Sequence, residues 1–123
     1  MDQDVYCGNL KLFGEEDYDT LLAASNYASS LKFLEHFEEA RSVLRKVMPV
    51  ARRVLGESRE LTLKIRWIYG QALYMDPDAT LDNLREAVST LEDTERIARR
   101  VLGGAHPTAA GIERDLENAR ETL

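Results

Sequence analysis

The stretch Ala51–Gly56, which reads ARRVLG, recurs as Ala98–Gly103 at a spacing of 47 residues. The same register pairs Ala40 with Ala87. Repetition at such a period is typical of proteins built from stacked helical or mixed repeats. We therefore expect the fold to consist of copies of one structural unit.

A weaker copy of this motif, Leu12–Gly14, precedes Gly56 by 42 residues, and in that register Thr20 aligns with Thr62. The basic unit is therefore about 42 residues long, and the second copy carries five additional residues. The change of register places this insertion between residues 73 and 87.

The insertion contains the sequence Asp76-Pro77-Asp78. An aspartate followed by proline is typical of a helix start, with the aspartate as N-cap and the proline in the first turn. We therefore predict a helix that begins at Asp76, so that the insertion lengthens a loop or a helix end.

The second half of each unit has apolar residues spaced by three or four, which is the period of one helical face. The two stripes are Phe37, Ala40, Leu44, Val47, Ala51 and Val54, and Leu84, Val88, Leu91, Ile97, Ala98 and Val101. Thr94 interrupts the middle of the second stripe. Each stripe predicts a helix with one buried face.

A further helix precedes each stripe, at about residues 18–34 and 60–75, where apolar residues surround much of the helix and predict burial on two sides. Gly14, Gly56 and Gly103 follow the last apolar residue of a helix and are expected to end it with positive φ. Pro107 opens a final helix at about 107–121. The sequence predicts no strand.

These elements predict an all-α fold, an antiparallel helix-hairpin solenoid with two hairpins and a C-terminal capping helix. We expect one domain, residues 1–123, divided into an N-terminal extension (1–13), repeat 1 (14–56), repeat 2 with the insertion (57–103) and a partial third repeat or cap (104–123). The last helix suits a cap because Glu117 replaces the small Ala28 and Gly70, and Glu113, Arg114, Asp115 and Asn118 add polarity. The chain is then either whole or a piece of a longer array.

Composition excludes several classes of protein. The chain has 123 residues, 44% of them hydrophobic, and a net charge of −6. It has no apolar run of about 20 residues, so we expect a soluble protein without membrane insertion. One cysteine, Cys7, and the absence of a signal sequence favour a reducing, cytoplasmic compartment. The negative charge argues against nucleic acid as partner.

Short motifs recur at matching places in the repeats. They are Asn26-Tyr27-Ala28-x-x-Leu31 and Glu39-Ala40, then Leu55-Gly56, Thr62-Leu63 and Glu86-Ala87, and finally Leu102-Gly103-x-x-His106-Pro107-x-Ala109. In these motifs the chain resembles the tetratricopeptide repeat (TPR) family, in its long, kinesin-light-chain-like form. The chain departs from the family pattern where Ile68 replaces the first-helix asparagine, Glu35 replaces a turn glycine and Pro49 lies inside a helix. We expect Pro49 to cause a kink, and the small Ala28, Ala40, Gly70 and Ala87 to allow close helix approach.

In the resembled family, the first helices line a concave groove that accepts peptides. Mapping that face implies that the partner-binding residues are Asn26, Ser29, Lys32, Phe33, Lys64, Trp67, Gln71 and Tyr74. Asn26 would bond a peptide backbone, Lys32 and Lys64 would meet a carboxylate, and Trp67 would anchor an apolar side chain. Alternatively, Trp67 and Tyr74 only pack between helices, and Asn26 only satisfies a neighbouring helix.

No catalytic, cofactor or metal site is predicted. His36 and Glu39 share a helix face but lack facing ligands, His106 belongs to the linker between repeats, and nothing activates Cys7. We expect a non-enzymatic adaptor or scaffold that binds a protein or peptide. The alternative is a structural subunit that packs into a larger complex through its ends or convex helices. Arg41, Arg45 and Arg52 on one helix side, with Lys46 and Arg53 beside them, favour an acidic protein partner over RNA. The oligomeric state is left open.

Overall fold

A computed structural model describes residues 2–123, which form six α-helices and no strand. The helices are α1 (Asp2–Phe13), α2 (Tyr18–Phe33), α3 (Phe37–Leu55), α4 (Glu60–Tyr74), α5 (Leu81–Leu102) and α6 (Pro107–Thr122). The predicted helices at 18–34, 60–75 and 107–121 are therefore confirmed within one residue at each end. Residues 2–13 of the N-terminal extension are also helical.

Each helix packs against its neighbour in the chain, and α2, α4 and α6 also contact one another in sequence. Within the described residues, no Cα atom of α3 lies within 8 Å of α5. The three helices α2, α4 and α6 therefore form one continuous layer, and α3 and α5 lie apart on the other side. This arrangement confirms the expected helix-hairpin solenoid.

Close helix approach at the small residues is confirmed. Ala28, Ala40 and Ala87 are fully buried. A Cβ atom built on Gly70 would lie 2.6 Å from Cδ2 of Leu91, so α4 and α5 pack with no room for a side chain at this position.

The buried stripes of α3 and α5 extend less far than predicted at their C-terminal ends. Val54 and Val101 are exposed, and each lies in the last turn of its helix. Thr94, in contrast, continues the stripe: it is fully buried, and its hydroxyl donates to the carbonyl of Thr90 at 2.6 Å. A threonine that bonds back to its own helix does not interrupt a buried face.

Gly56 and Gly103 end α3 and α5 with φ of 89° and 90°, as predicted, and Gly14 has φ of 86°. Their ψ values of 161° and 150° place Gly56 and Gly103 in an extended region that only glycine adopts readily. They therefore redirect the chain into the next helix instead of continuing a left-handed turn.

The predicted helix start at Asp76 is wrong, because α5 begins at Leu81. Thr80 is its N-cap and forms a capping box with Asn83. The carboxylate of Asp76 accepts from the backbone N–H of Asp78 at 2.9 Å and from Arg41 Nη1 at 3.0 Å, so it stabilises a turn in the loop. The insertion is thus shared between a longer loop and a longer α5.

None of the helices between Asp2 and Thr122 is both long and apolar enough to cross a bilayer.

Candidate functional site

A depression of about 220 Å³ lies between α2 and α4, which we call the α2–α4 groove. It is lined by Ser29, Lys32, Lys64, Trp67, Ile68 and Gln71. Five of these six residues belong to the set predicted from the sequence. The groove therefore combines an aromatic surface, two ammonium groups and an amide in a space the size of one or two side chains.

A second depression of about 520 Å³ adjoins it between α1 and α2. Its lining residues are Asp2, Asn26, Ser29, Ser30, Phe33 and Leu34. Ser29 lines both depressions, so the two adjoin along α2. Phe33 is 86% exposed and Asn26 is also exposed, so both present their side chains to solvent.

Lys32 is held in the groove by a hydrogen bond from its Nζ to Oε1 of Gln71, at 2.6 Å. Burial lowers the pKa of Lys32 from its ordinary value, and the nearby Asp115 carboxylate opposes this shift. An ammonium group has three N–H donors. One is used by Gln71, so two are available to a ligand that enters the groove.

Below the groove, the carboxylate of Asp115 on α6 collects three donors from α4. Trp67 Nε1 donates to it at 2.6 Å, Gln71 Nε2 at 2.9 Å, and the Tyr74 hydroxyl donates to its other oxygen. Asp115 is 4% exposed. Burial, together with the hydrogen bond to Asp115, raises the pKa of Tyr74 well above its ordinary value. The phenol is therefore a fixed donor.

The Trp67 ring is also fixed by its packing against Gly111. A Cβ atom on Gly111 would lie 2.6 Å from Cη2 and Cζ2 of the indole, so the ring rests directly on the backbone of α6. Trp67, Gln71 and Tyr74 thus have interhelical contacts of their own. Trp67 therefore both packs against α6 and lines the α2–α4 groove.

Asp115 is a site residue that the sequence does not predict, because the polar composition of α6 is typical of a solvated cap. The signal lies in its spacing, since Asp115 falls in the apolar series of α6. The other buried members of that series are Thr108, Ala109, Gly111, Ile112, Leu116 and Ala119. A carboxylate on such a face must find donors inside the protein.

Three of the five basic side chains predicted on one side of α3 are paired with carboxylates within the chain. Arg41 is buried and pairs with Asp76, Arg52 pairs with Glu57 at 2.7 Å, and Arg53 pairs with Glu16 at 2.9 Å. The charges of these three arginines are therefore compensated within the chain.

The side chains considered as potential catalytic or metal-binding groups are His36, Glu39 and His106. His106 is the N-cap of α6, and its Nδ1 accepts from the backbone N–H of Thr108 at 3.1 Å, in agreement with its predicted place in a linker. His36 and Glu39 are exposed, and 4.0 Å separates His36 Nδ1 from Glu39 Oε1. From Asp2 onward, no three metal-ligating side chains converge on a common point.

In a comparison with known families, residues 20–59 match the family model described as tetratricopeptide repeat. The matched residues span α2 from Thr20 onward, the turn to α3, the whole of α3 and the linker to α4. No curated protein and no solved structure gives a match to the chain.

Proposed function

We propose, from the tetratricopeptide repeat that this chain carries in residues 20–59, that it is an adaptor or scaffold which binds a partner peptide along the α2–α4 groove. Tetratricopeptide repeats generally mediate protein–protein interactions and are typically not enzymes. The single observation that supports the proposal most is the groove itself, which is lined by Lys32, Lys64 and Trp67.

The chemistry of the groove favours a peptide with an acidic residue next to an apolar one. The partly desolvated ammonium of Lys32 gains more from a carboxylate than an exposed lysine does, because water competes less for it. Trp67 and Ile68 provide apolar contact for the neighbouring side chain. Asn26 and Phe33 extend the same surface along α2.

The groove walls are held in position before any ligand arrives. Trp67 and Gln71 are both bonded to Asp115, and Lys32 is bonded to Gln71. A surface with side chains already ordered loses less conformational entropy on binding. This pre-organisation favours specific recognition of a peptide over non-specific binding.

The test is selection of a displayed random-peptide library on the wild-type protein, followed by affinity measurement on variants. Lys64→Glu changes an exposed residue of the α2–α4 groove, and Phe33→Ser changes an exposed residue of the adjoining depression between α1 and α2. Both variants should keep the fold intact. We expect each to weaken the selected peptides about tenfold. Arg100→Glu, an exposed charge reversal on α5, is the matched control and should have little effect. Equal binding to all variants would contradict the proposal.

The second candidate is an assembly subunit that packs through an end of the solenoid. It is favoured by α1, which has no buried residue and exposes Val5, Leu12 and Phe13. An exposed apolar helix face is typical of a surface that another protein covers. Light scattering on the wild type and on Leu12→Ser/Phe13→Ser distinguishes this function, since only an assembly through α1 loses mass in the variant.

A further inference from the structure

Gln71 lies in the middle of a chain of hydrogen bonds that crosses three helices. Its Oε1 accepts from Lys32 Nζ of α2 at 2.6 Å, and its Nε2 donates to Asp115 of α6 at 2.9 Å. Within residues 2–123, no Cα atom of α2 lies within 8 Å of α6. The Gln71 side chain therefore connects the groove lysine with a helix that α2 does not approach.

The two partners of Gln71 set the direction of its amide. A carboxylate accepts hydrogen bonds and an ammonium group donates them, whereas an amide can do either. Turning the amide round would place its NH₂ group against Lys32 and its oxygen against Asp115. Two hydrogen bonds would then be replaced by two repulsive contacts. Asp115 therefore fixes the oxygen of Gln71 on the side of Lys32.

Asp115 is itself held without Gln71. It is 4% exposed, Trp67 Nε1 donates to it at 2.6 Å, and the Tyr74 hydroxyl donates to its other oxygen. Trp67, Gln71 and Tyr74 are spaced by four and three residues, so they share one face of α4. Loss of the Gln71 amide would leave both of these contacts, and with them the Trp67 wall of the α2–α4 groove.

Lys32 is positioned by Gln71 but not neutralised by it, because the amide carries no charge. Within residues 2–123, no carboxylate oxygen lies within 4.0 Å of the Lys32 ammonium. Lys32 also lines the groove and is only half exposed. A ligand therefore meets a cation that is held in place and still has its charge to share.

We propose that Gln71, oriented by Asp115, is a specificity-determining residue of the α2–α4 groove. By holding the Lys32 ammonium in the groove, it makes the groove select a carboxylate side chain over the isosteric carboxamide. The inference rests on the proposed binding of a peptide in this groove. Gln71 is a positioning residue in this role, because it acts on the ligand through Lys32.

The experiment compares two blocked peptides, acetyl-Gly-Leu-Glu-Gly-amide and its glutamine analogue, by NMR titration of the ¹⁵N-labelled protein. We expect the wild type to bind the glutamate peptide about tenfold more tightly than the glutamine peptide. Gln71→Met removes the amide and keeps a long side chain of good helix propensity. In this variant the preference should fall to about twofold, with the affinity for the glutamine peptide within about twofold of the wild type.

This pattern separates a role in specificity from a role in structure, because a collapsed groove would weaken both peptides together. Equal weakening of the two peptides, or an unchanged preference in Gln71→Met, would overturn the proposal. Tighter binding of the glutamate peptide by Gln71→Met would also overturn it, since Gln71 would then compete with the ligand for Lys32. Gln3→Met, the same change at an exposed position of α1, is the matched control and should keep the tenfold preference.

A double-mutant cycle tests whether Gln71 acts through Lys32. Lys32→Met should lose the preference for glutamate, and Lys32→Met/Gln71→Met should bind both peptides within about twofold of Lys32→Met alone. A further loss of glutamate binding in the double variant would show that Gln71 contacts the ligand by itself and would refute the positioning role.

The ammonium signal of Lys32 in the ligand-free protein tests the positioning without a peptide. A hydrogen bond to Gln71 slows exchange of the ammonium protons with water, so we expect a Lys32 signal at low temperature that is lost in Gln71→Met. A signal that persists in the variant would refute the positioning, whatever the peptides do. Loss of the signal together with no binding of either peptide to the wild type would instead refute the proposed groove function, and with it the role in specificity.

Discussion

The carboxylate of Asp115 on α6 accepts a hydrogen bond from the indole Nε1 of Trp67 on α4, at 2.6 Å. Gln71 and Tyr74 donate to the same carboxylate. One buried acidic group thus joins the last helix of the structure to the wall of the α2–α4 groove. The stability of α6 and the geometry of the groove depend on the same contacts.

Asp115→Ala is therefore expected to destabilise the protein by about 2–4 kcal/mol, because it leaves three partly buried donors without an acceptor. The free energy of unfolding from urea titration measures this effect. Glu117→Ala, an exposed acid-to-alanine change on the same helix, is the matched control and should change stability by less than about 0.5 kcal/mol. Similar values for the two variants would show that the Asp115 contacts contribute nothing to stability.

Gly70→Ala tests the close approach of α4 and α5. The added Cβ atom would lie 2.6 Å from Cδ2 and 2.7 Å from Cγ of Leu91, so α5 must shift or Leu91 must adopt a strained rotamer. We expect a destabilisation of about 1–3 kcal/mol, measured by thermal or urea unfolding.

Gly8→Ala is the control for this substitution, because Gly8 is also helical but has nothing within 4 Å of a built Cβ atom. Higher helix propensity should stabilise that variant by up to about 1 kcal/mol. The two identical changes should therefore have opposite signs. A stabilised Gly70→Ala variant would contradict the packing described for Leu91.

The fold was predictable from the sequence because its signals are local and repeated. The ARRVLG motif ends with Gly56 and Gly103, which end α3 and α5 as expected. The helix start at Asp76 was not predictable, since an Asp-Pro-Asp sequence fits a helix N-cap and a turn equally well. The choice depends on Arg41, which is distant in sequence and binds the Asp76 carboxylate.

The residues of the candidate site, like the start of α5, could be predicted from the sequence only in part. The resemblance to a repeat family implied which residues of α2 and α4 face it, and most of them line one depression. The role of Asp115 could not be predicted in this way, because it depends on how closely α6 packs over α4. That packing buries the Asp115 carboxylate under Trp67. The composition of α6 is typical of a solvated helix, because many of its residues are polar. Composition does not show that the polar Asp115 lies on the buried face.

Alkaline pH is expected to destabilise the protein through Tyr74. Burial, and then its hydrogen bond to Asp115, raises the pKa of Tyr74 in the folded state, while the unfolded chain ionises near a pH of about 10. The unfolded state therefore binds fewer protons above that pH, so stability is retained below pH 10 and falls as the pH rises further. The slope for one such group is at most about 1.4 kcal/mol per pH unit.

Urea titrations between neutral pH and pH 11 measure this loss in the wild type and in Tyr74→Phe. The variant should show a shallower decrease above pH 10, although Tyr6, Tyr27 and Tyr69 also have raised pKa values and contribute to what is left. Indistinguishable pH dependence in the two proteins would show that the Tyr74 phenol is not held neutral by Asp115.

Glu35 ends α2 in a conformation that normally belongs to glycine. Its φ is 64°, and it occupies the turn of a Schellman motif in which the N–H of His36 donates to the carbonyl of Leu31 at 2.8 Å and that of Glu35 to Lys32 at 2.9 Å. A left-handed conformation costs a residue with a Cβ atom about 1–2 kcal/mol. The resemblance to the repeat family also implied a glycine at this position.

Glu35→Gly is therefore expected to stabilise the protein by about 1 kcal/mol, because relief of the strain outweighs the greater freedom of glycine in the unfolded chain. Glu38→Gly is the control, because it also removes an exposed glutamate. Glu38 lies in the first turn of α3, where the helical backbone favours glutamate over glycine. It should destabilise by about 0.5–1 kcal/mol. Urea unfolding of both variants at one pH separates the backbone effect from the loss of charge. If both were destabilised equally, the positive φ of Glu35 would carry no measurable strain.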